Sequence, residues 1–319
     1  MPILAKFDTA DTMLARLQQA TTFALIGLAL AWVIVHASRG AVVVGIAGAL
    51  FIVFAYAIVL AIEILFARWI NRSEAVGSAN ATLLFQAWRG EVRCSARTFF
   101  WNQPFRSHVV PDHLPNAARA GAGLVFVHGF VCNRGLWNPW LRRLRDLGIP
   151  FAAVNLEPVF GGIEGYSATI DAAVRRVVAA TGCPPIVVAH SMGGLAVRAW
   201  LAARDAARVQ HVITLGTPHH GTVLASLAMA ANARQMRRHS PWLKALVRSE
   251  PADRYTSFTC FFSNCDNIVM PASSATLRGA DNRHLPGVAH VQMASDERVF
   301  CELLERTWYA PRAAAQRAP

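Results

Sequence analysis

Between Arg16 and Arg39, and again between Arg39 and Glu63, the chain contains no Asp, Glu, Lys or Arg. The first stretch centres on FALIGLALAWVIV and the second reads GAVVVGIAGALFIVFAYAIVLAI. No other feature limits the fold as strongly. A helix rises about 1.5 Å per residue, so about twenty apolar residues cover the roughly 30 Å of a bilayer's hydrocarbon core. Both stretches meet that length, which predicts transmembrane helices over about 17–37 and 41–66, joined by HASRG into a hairpin. A cleaved secretion signal, with Lys6 and Arg16 as its charged end, is the first rival. Its apolar region would be unusually long, and a second apolar run follows at once. A helix buried in a soluble core is the other rival, and two such lengths in succession speak against it. Arg68, Arg72, Arg89 and Arg93 follow the second span, whereas the connecting loop carries only Arg39. The positive-inside rule then puts both ends in the cytoplasm, and the expected site is a bacterial inner membrane. Glu63, near the end of the second span, reads either as a polar group with a function inside the membrane or, as its position favours, as an interfacial residue reaching out to water.

Hydrophobic residues make up 54% of the 319, with the excess concentrated in the first 67. Lys and Arg number 31 against 19 Asp and Glu, a net charge of +12. That balance suits nucleic acid or an anionic membrane surface. The chain carries no RNA- or DNA-binding motif, so the bilayer is the expected partner and nucleic acid is not. The six cysteines are scattered, unlike the dense framework of a small secreted module. Cys260 and Cys265 have no second pair to complete a zinc site. Buried, reduced thiols are expected, with no metal and no cofactor. Residues 68–120 form a connector, in which Pro104, Pro111 and Pro115 prevent a long helix. Trp69, Trp88 and Trp101 lie among arginines there. They fit an interfacial segment or aromatic packing against the following domain.

From Gly123 the pattern alternates. GLVFVHGF, IPFAAVNL, PPIVVAH and VQHVITLGTP read as buried strands. LWNPWLRRLRDLG, IDAAVRRVVAATG and MGGLAVRAWLAARD read as the helices between them. Strands that are apolar throughout, separated by helices, predict an α/β fold with a doubly wound, mainly parallel sheet covered on both faces. The expected organisation is a membrane region at 1–67, the connector at 68–120, a catalytic domain at 121–310 and a basic tail at 311–319. Ligands of such sheets sit at the carboxyl ends of the strands.

Ser191 falls at one of those ends. Ala189-His190-Ser191-Met192-Gly193 approximates G-x-S-x-G, with alanine in place of the first glycine. The small residues have a physical purpose. A nucleophile on a sharp strand-to-helix turn has strained backbone, and bulk two positions away would strike the neighbouring strand or helix. The helix starting near Met192 aims its N-terminal N–H groups at the site, which favours an oxyanion. With AHSMG, FVHGF and TLGTPHHGT together, the chain from about Gly121 to Trp308 resembles an α/β-hydrolase of the triacylglycerol-lipase branch. The resemblance covers about three fifths of the protein and leaves the membrane part unexplained.

That resemblance implies the triad order Ser, acid, His. Asp266 follows the apolar FTCFF and is the candidate acid; its rival role is a turn residue bonding its own backbone. Asp281 and Asp296 follow no convincing strand. His290, in PGVAHVQ ahead of a terminal helix, matches the family's Gly-x-x-His segment and is the candidate base, with His284 as fallback. His219 and His220 precede the acid and are expected to shape a loop beside the site. The resemblance assigns the oxyanion hole to the N–H groups of Met192 and Phe130, or of Val131 if the loop is set differently. His128, Gly129, His190 and Gly193 are the supporting loop residues. An insert over about 219–254 is the expected lid. Between 222 and 254 it carries six basic and two acidic residues beside Met236, Trp242, Leu243 and Leu246. Its basic helix either lies on lipid or is an ordinary solvated face over a packed helix. The function implied is a membrane-anchored serine hydrolase acting on lipid or acyl esters. Acyl transfer with the same triad, and a membrane scaffold on a hydrolase fold, are the alternatives.

Overall fold

The computed structural model describes residues 13–115, 121–204, 209–251 and 253–315. Lys6 and the last four residues of the expected tail lie outside these. Helices α1 (Met13–Ser38) and α2 (Val42–Ile70) pack side by side across a short turn. Both are long and apolar enough to cross a membrane. Their outer faces carry bare apolar side chains, among them Phe23, Ile34, Val43 and Phe51. An apolar surface of that size is a membrane or partner surface rather than one suited to water.

The connector is more ordered than its prolines suggest. Helix α3 (Ala81–Arg97) is capped by Asn80, whose side chain accepts the Leu83 N–H at 2.9 Å. A π-type turn carries it into α4 (Gln103–Phe105), where Pro104 occupies the first turn and no intrahelical N–H is needed. Of the three tryptophans, Trp88 donates to the Ala57 carbonyl of α2 at 2.8 Å. Trp69 and Trp101 are 54% and 53% exposed.

Six parallel strands follow: β1 (Leu124–Val127), β2 (Phe151–Ala153), β3 (Ile186–His190), β4 (His211–Leu215), β5 (Phe258–Phe262) and β6 (Asp281–His284), in the order β2-β1-β3-β4-β5-β6. Helices α5 (Asn138–Asp146), α6 (Ser167–Thr181) and α7 (Met192–Ala203) join the first four. Alternate side chains of each strand enter opposite layers. Val125, Val187 and Ala189 meet Leu195 and Trp200 on one face; Phe126, Ile186 and Val188 meet Trp137 and Phe300 on the other. Strand order reverses between β1 and β3, so the loops after these two strands bound the crevice where such sheets bind ligands.

Two expectations need correction. The strand β6 was not expected, because its four residues, Asp-Asn-Arg-His, are polar and half-buried or exposed. It pairs with β5 at the sheet edge, where polar side chains are tolerated. Asp281 therefore opens a strand rather than following one. The last helix, α10 (Glu297–Ala315), runs past the boundary expected at 310. The insert after β4 folds as two short helices, α8 (Ala231–Gln235) and α9 (Pro241–Ser249). Leu243 and Leu246 of α9 are buried against the domain, so Lys244 and Arg248 form its outer face.

Candidate active site

Ser191 is the residue between β3 and α7, with φ 56° and ψ −130°. The left-handed region is costly for a residue with a Cβ, and such strain persists only where the surroundings impose it. Here its N–H donates to the Leu215 carbonyl at 2.8 Å. A Cβ on Gly193 would lie 2.5 Å from the His128 carbonyl oxygen and 2.7 Å from that of Val127. Those are backbone atoms that cannot step aside, so the position admits only glycine. Ala189, the departure from the pattern, is fully buried in β3.

Asp266 and His290 meet across the loops after β5 and β6. The His290 Nδ1–H donates to Asp266 Oδ2 at 2.9 Å. Asp266 Oδ1 accepts the N–H groups of Ile268 and Val269, each at 2.8 Å. Asp266 thus has one oxygen in its own turn and the other on the histidine. Gly216 (φ +53°) makes the pairing possible. A Cβ there would lie 2.8 Å from Asp266 Oδ2 and 3.0 Å from His290 Nδ1. Burial alone would lower the pKa of His290, but the carboxylates of Asp266 and Glu91 outweigh it and the net shift is upward.

The supporting histidines are neutral spacers. His128 Nε2 accepts the Leu156 N–H at 2.9 Å, so its Nδ1–H donates to the Gly129 carbonyl at 2.9 Å. Burial lowers its pKa to about 4. His190 donates from Nε2 to the His290 carbonyl at 3.0 Å, and its burial takes its pKa well below the ordinary value. His284 instead bonds Asn264 Oδ1 at 3.2 Å on β6, and it is His290 that lines the cavity with Ser191. His219 and His220 form a wall behind Pro218.

Ser191 and His290 line one cavity of about 340 Å³. Among the described residues no hydrogen bond joins the Ser191 hydroxyl to His290. Catalytic hydrogen bonds are often long before substrate enters. Phe130 of the β1 loop lines the same space, and Met192 opens helix α7 beside Ser191. Val131, on that loop, has φ 52° and is strained as Ser191 is.

Much of the cavity wall comes from outside the sheet domain. Leu60 and Glu63 of α2, Glu91 and Phe99 of the connector, and Ala225 and Met236 of the insert all face it. Glu63 is half-buried, with its carboxylate tied to the cavity wall rather than left wholly to water. Its Oε2 accepts Asn267 Nδ2–H at 2.8 Å, and Asn267 Oδ1 accepts the His290 N–H at 3.2 Å. Its side chain follows the apolar wall inward because a partner waits there. Glu91 is 1% exposed and accepts the N–H groups of Val291 and Gln292, each at 3.0 Å. Burial raises its pKa to about 7, against the opposing pull of those N–H groups and of His290. Its importance had a sequence signal: Leu84, Ala87, Glu91 and Ser95 share one helical stripe, with an acid in the middle of its buried face.

Burial also raises the Cys132 thiol, on the cavity wall, to about 12, which disfavours its thiolate. Cys301 is exposed, contrary to the expectation of buried thiols throughout. Among the described residues no three His, Cys, Asp or Glu side chains are grouped to hold a metal ion.

A model of the alpha/beta hydrolase family matches residues 124–317. Among solved structures, the chain is similar to the mature lipase BlEst2 of Bacillus licheniformis, with 20% identity and a TM-score of 0.53 over 61% of this chain and 95% of that one. The propeptide form of the same lipase matches with 22% identity and a TM-score of 0.53 over 61% of this chain and 52% of that one. At such identity the likeness is one of fold. Comparison with curated proteins gave no match. Helices α1 to α4 lie outside the residues matched by the family.

Proposed function

Because the chain belongs to the alpha/beta hydrolase family, we propose that it is a membrane-anchored serine hydrolase cleaving the carboxylic ester bonds of lipid or acyl substrates. The observation that carries this reading is one cavity whose lining includes a strained serine, a carboxylate-paired histidine and a wall from an apolar helix long enough to span a bilayer. In the proposed chemistry, the Ser191 hydroxyl attacks the acyl carbonyl while His290 Nε2 takes its proton. The N–H groups of Met192 and Phe130 receive the oxyanion. His290 returns the proton to the leaving alcohol, and water releases the acid by the same steps in reverse. Asp266 keeps the Nδ1 proton in place and stabilises the imidazolium. The hairpin supplies the anchor, and Leu60 on α2 gives an acyl chain an apolar surface continuous with the bilayer side. Lipases among the similar folds agree with this substrate class.

The test is hydrolysis of p-nitrophenyl esters, from acetate to palmitate, by the full chain in neutral detergent micelles. Turnover should rise from acetate to the longer chains as the apolar wall is filled, because each buried methylene contributes roughly 0.8 kcal/mol. Failure to cleave any of them would overturn the reading.

Glu91 enters this proposal as a positioning residue, since it bonds the two N–H groups that follow His290. Glu91→Gln presents an amide to one of those donors, which leaves a buried N–H unpaired at a cost of about 1–3 kcal/mol. A fall of roughly tenfold in kcat is expected, equivalent to about 1.4 kcal/mol of lost alignment. The pH profile should move as well. The Glu91 carboxylate favours protonated His290, so removing its charge lowers the His290 pKa. His290 then stays a free base to lower pH, and the acid limb of kcat/KM shifts downward. An unmoved limb would reduce Glu91 to a structural support.

A further inference from the structure

On the far side of the segment 218–222 lies a second hollow, of about 610 Å³. Pro218 and Thr222 line the Ser191 cavity, whereas His219 and His220 between them line this one. Arg238, Lys244 and Arg248 stand on its α9 side, and Ser273 and Ser274 face them. Among the described residues, no Asp or Glu contributes to the lining.

We propose that this hollow binds a phosphate-bearing anion, using the three cations as its charge and the serine hydroxyls as further donors.

The charge pattern points to a ligand. Several arginines elsewhere in the domain are matched: Arg134 with Asp112 at 2.8 Å, Arg143 with Glu297 at 2.7 Å, and Arg198 with Glu250 at 2.6 Å. Among the described residues, Arg238, Lys244 and Arg248 have no carboxylate partner, although they converge on one space. Three like charges facing a common hollow repel one another, and an anion between them removes that cost. The second sign is His219, which is fully buried and lines the hollow. Its Nε2 reaches Thr214 Oγ1 at 3.2 Å and Cys260 Sγ at 3.7 Å, while its Nδ1 has no partner. A buried imidazole nitrogen in the wall of the hollow therefore lacks a hydrogen-bond partner among the described residues.

The location relates the hollow to the membrane anchor. Ser273, on its rim, donates its N–H to Glu74 Oε2 at 3.1 Å, and the neighbouring Ala272 N–H goes to Asn71 Oδ1 at 2.9 Å. Asn71 and Glu74 lie in the turn directly after α2. At that end of α2, Arg72 sits over the Trp69 ring at 4.9 Å, an arrangement suited to the headgroup layer. A lipid phosphate would lie at that depth. This placement rests on the anchoring reading of the previous section, whereas the anion chemistry does not.

The experiment uses the full chain carrying Ser191→Ala, so that no ester is turned over, in neutral detergent micelles. Calorimetric titration is run with inorganic phosphate and, separately, with micelles containing phosphatidylglycerol or uncharged diacylglycerol. Saturable binding of an anion is expected, weakened at least tenfold by combined Arg238→Gln, Lys244→Gln and Arg248→Gln, and unchanged by Arg234→Gln outside the hollow. Tighter binding of phosphatidylglycerol than of phosphate assigns the site to a lipid headgroup; equal or tighter binding of phosphate assigns it to the free anion. If neither anion binds, or if the triple variant binds both as the parent does, the site is overturned. Thermal melting checks that the triple variant folds, and Lys244→Gln alone, expected to weaken binding about threefold, replaces it if it does not. Because the readout is binding, an inactive hydrolase would leave the result intact, and the two readings fail separately.

Discussion

Replacing Ser191 with alanine is expected to lower kcat for ester hydrolysis by about 10⁶-fold, the scale on which loss of a serine nucleophile removes covalent catalysis. Labelling by a fluorophosphonate should vanish with it. The argument starts from the backbone. Ser191 occupies φ 56°, and its N–H is held by the Leu215 carbonyl. Neither depends on the hydroxyl, and alanine bears the same strain as serine. Its hydroxyl makes no hydrogen bond to the described residues, so no buried partner is orphaned by its loss. The melting temperature should therefore stay where it is while activity disappears. What remains is catalysis by the oxyanion N–H groups and by substrate binding alone. Undiminished labelling of the variant would place the nucleophile elsewhere.

The second large effect is expected from Asp266→Asn, a fall in kcat of about 10⁴-fold with the fold retained. The direction follows from the two sides of Asp266. Oδ1 accepts from Ile268 and Val269, so an asparagine must keep its carbonyl there. Its NH₂ group then faces His290 Nδ1, which can only accept. The proton moves to Nε2, and Ser191 meets a donor where it needs a base. Loss of the carboxylate also removes a charge that favours protonated His290, so the acid limb of kcat/KM moves to lower pH. A loss under tenfold would mean that Asp266 serves only its own turn. Steady-state kinetics across pH on both variants separates these outcomes.

Legibility in the sequence followed the range of the interactions involved. The strand-turn-helix around Ser191 is local: IVVA is apolar, small residues flank the serine, and an apolar helical run follows. Asp266 and His290 stand out by their flanks and their order along the chain. The strand β6 was hidden, because an edge strand of Asp-Asn-Arg-His has neither the apolar run of a central strand nor a clean alternation. Glu63 was misjudged for a related reason. An acid at the end of an apolar helix normally seeks water, and its partner Asn267 lies 204 residues away. Glu91 was visible as an acid on a buried stripe, but nothing local indicated that it faces the residues after His290.

The sequence by itself determined what depends on neighbours along the chain: two long apolar helices of membrane length, the alternation that makes a parallel sheet, and the sharp turn that holds Ser191. These follow from hydrophobic period and backbone sterics within a few residues. Tertiary structure alone decided that α2 and α3 wall the Ser191 cavity, that two distant carboxylates hold the His290 loop, and that three cations of the insert share one hollow. Such groupings arise when segments far apart in sequence meet. A carboxylate is buried, or a guanidinium left unpaired, by what the fold brings to it.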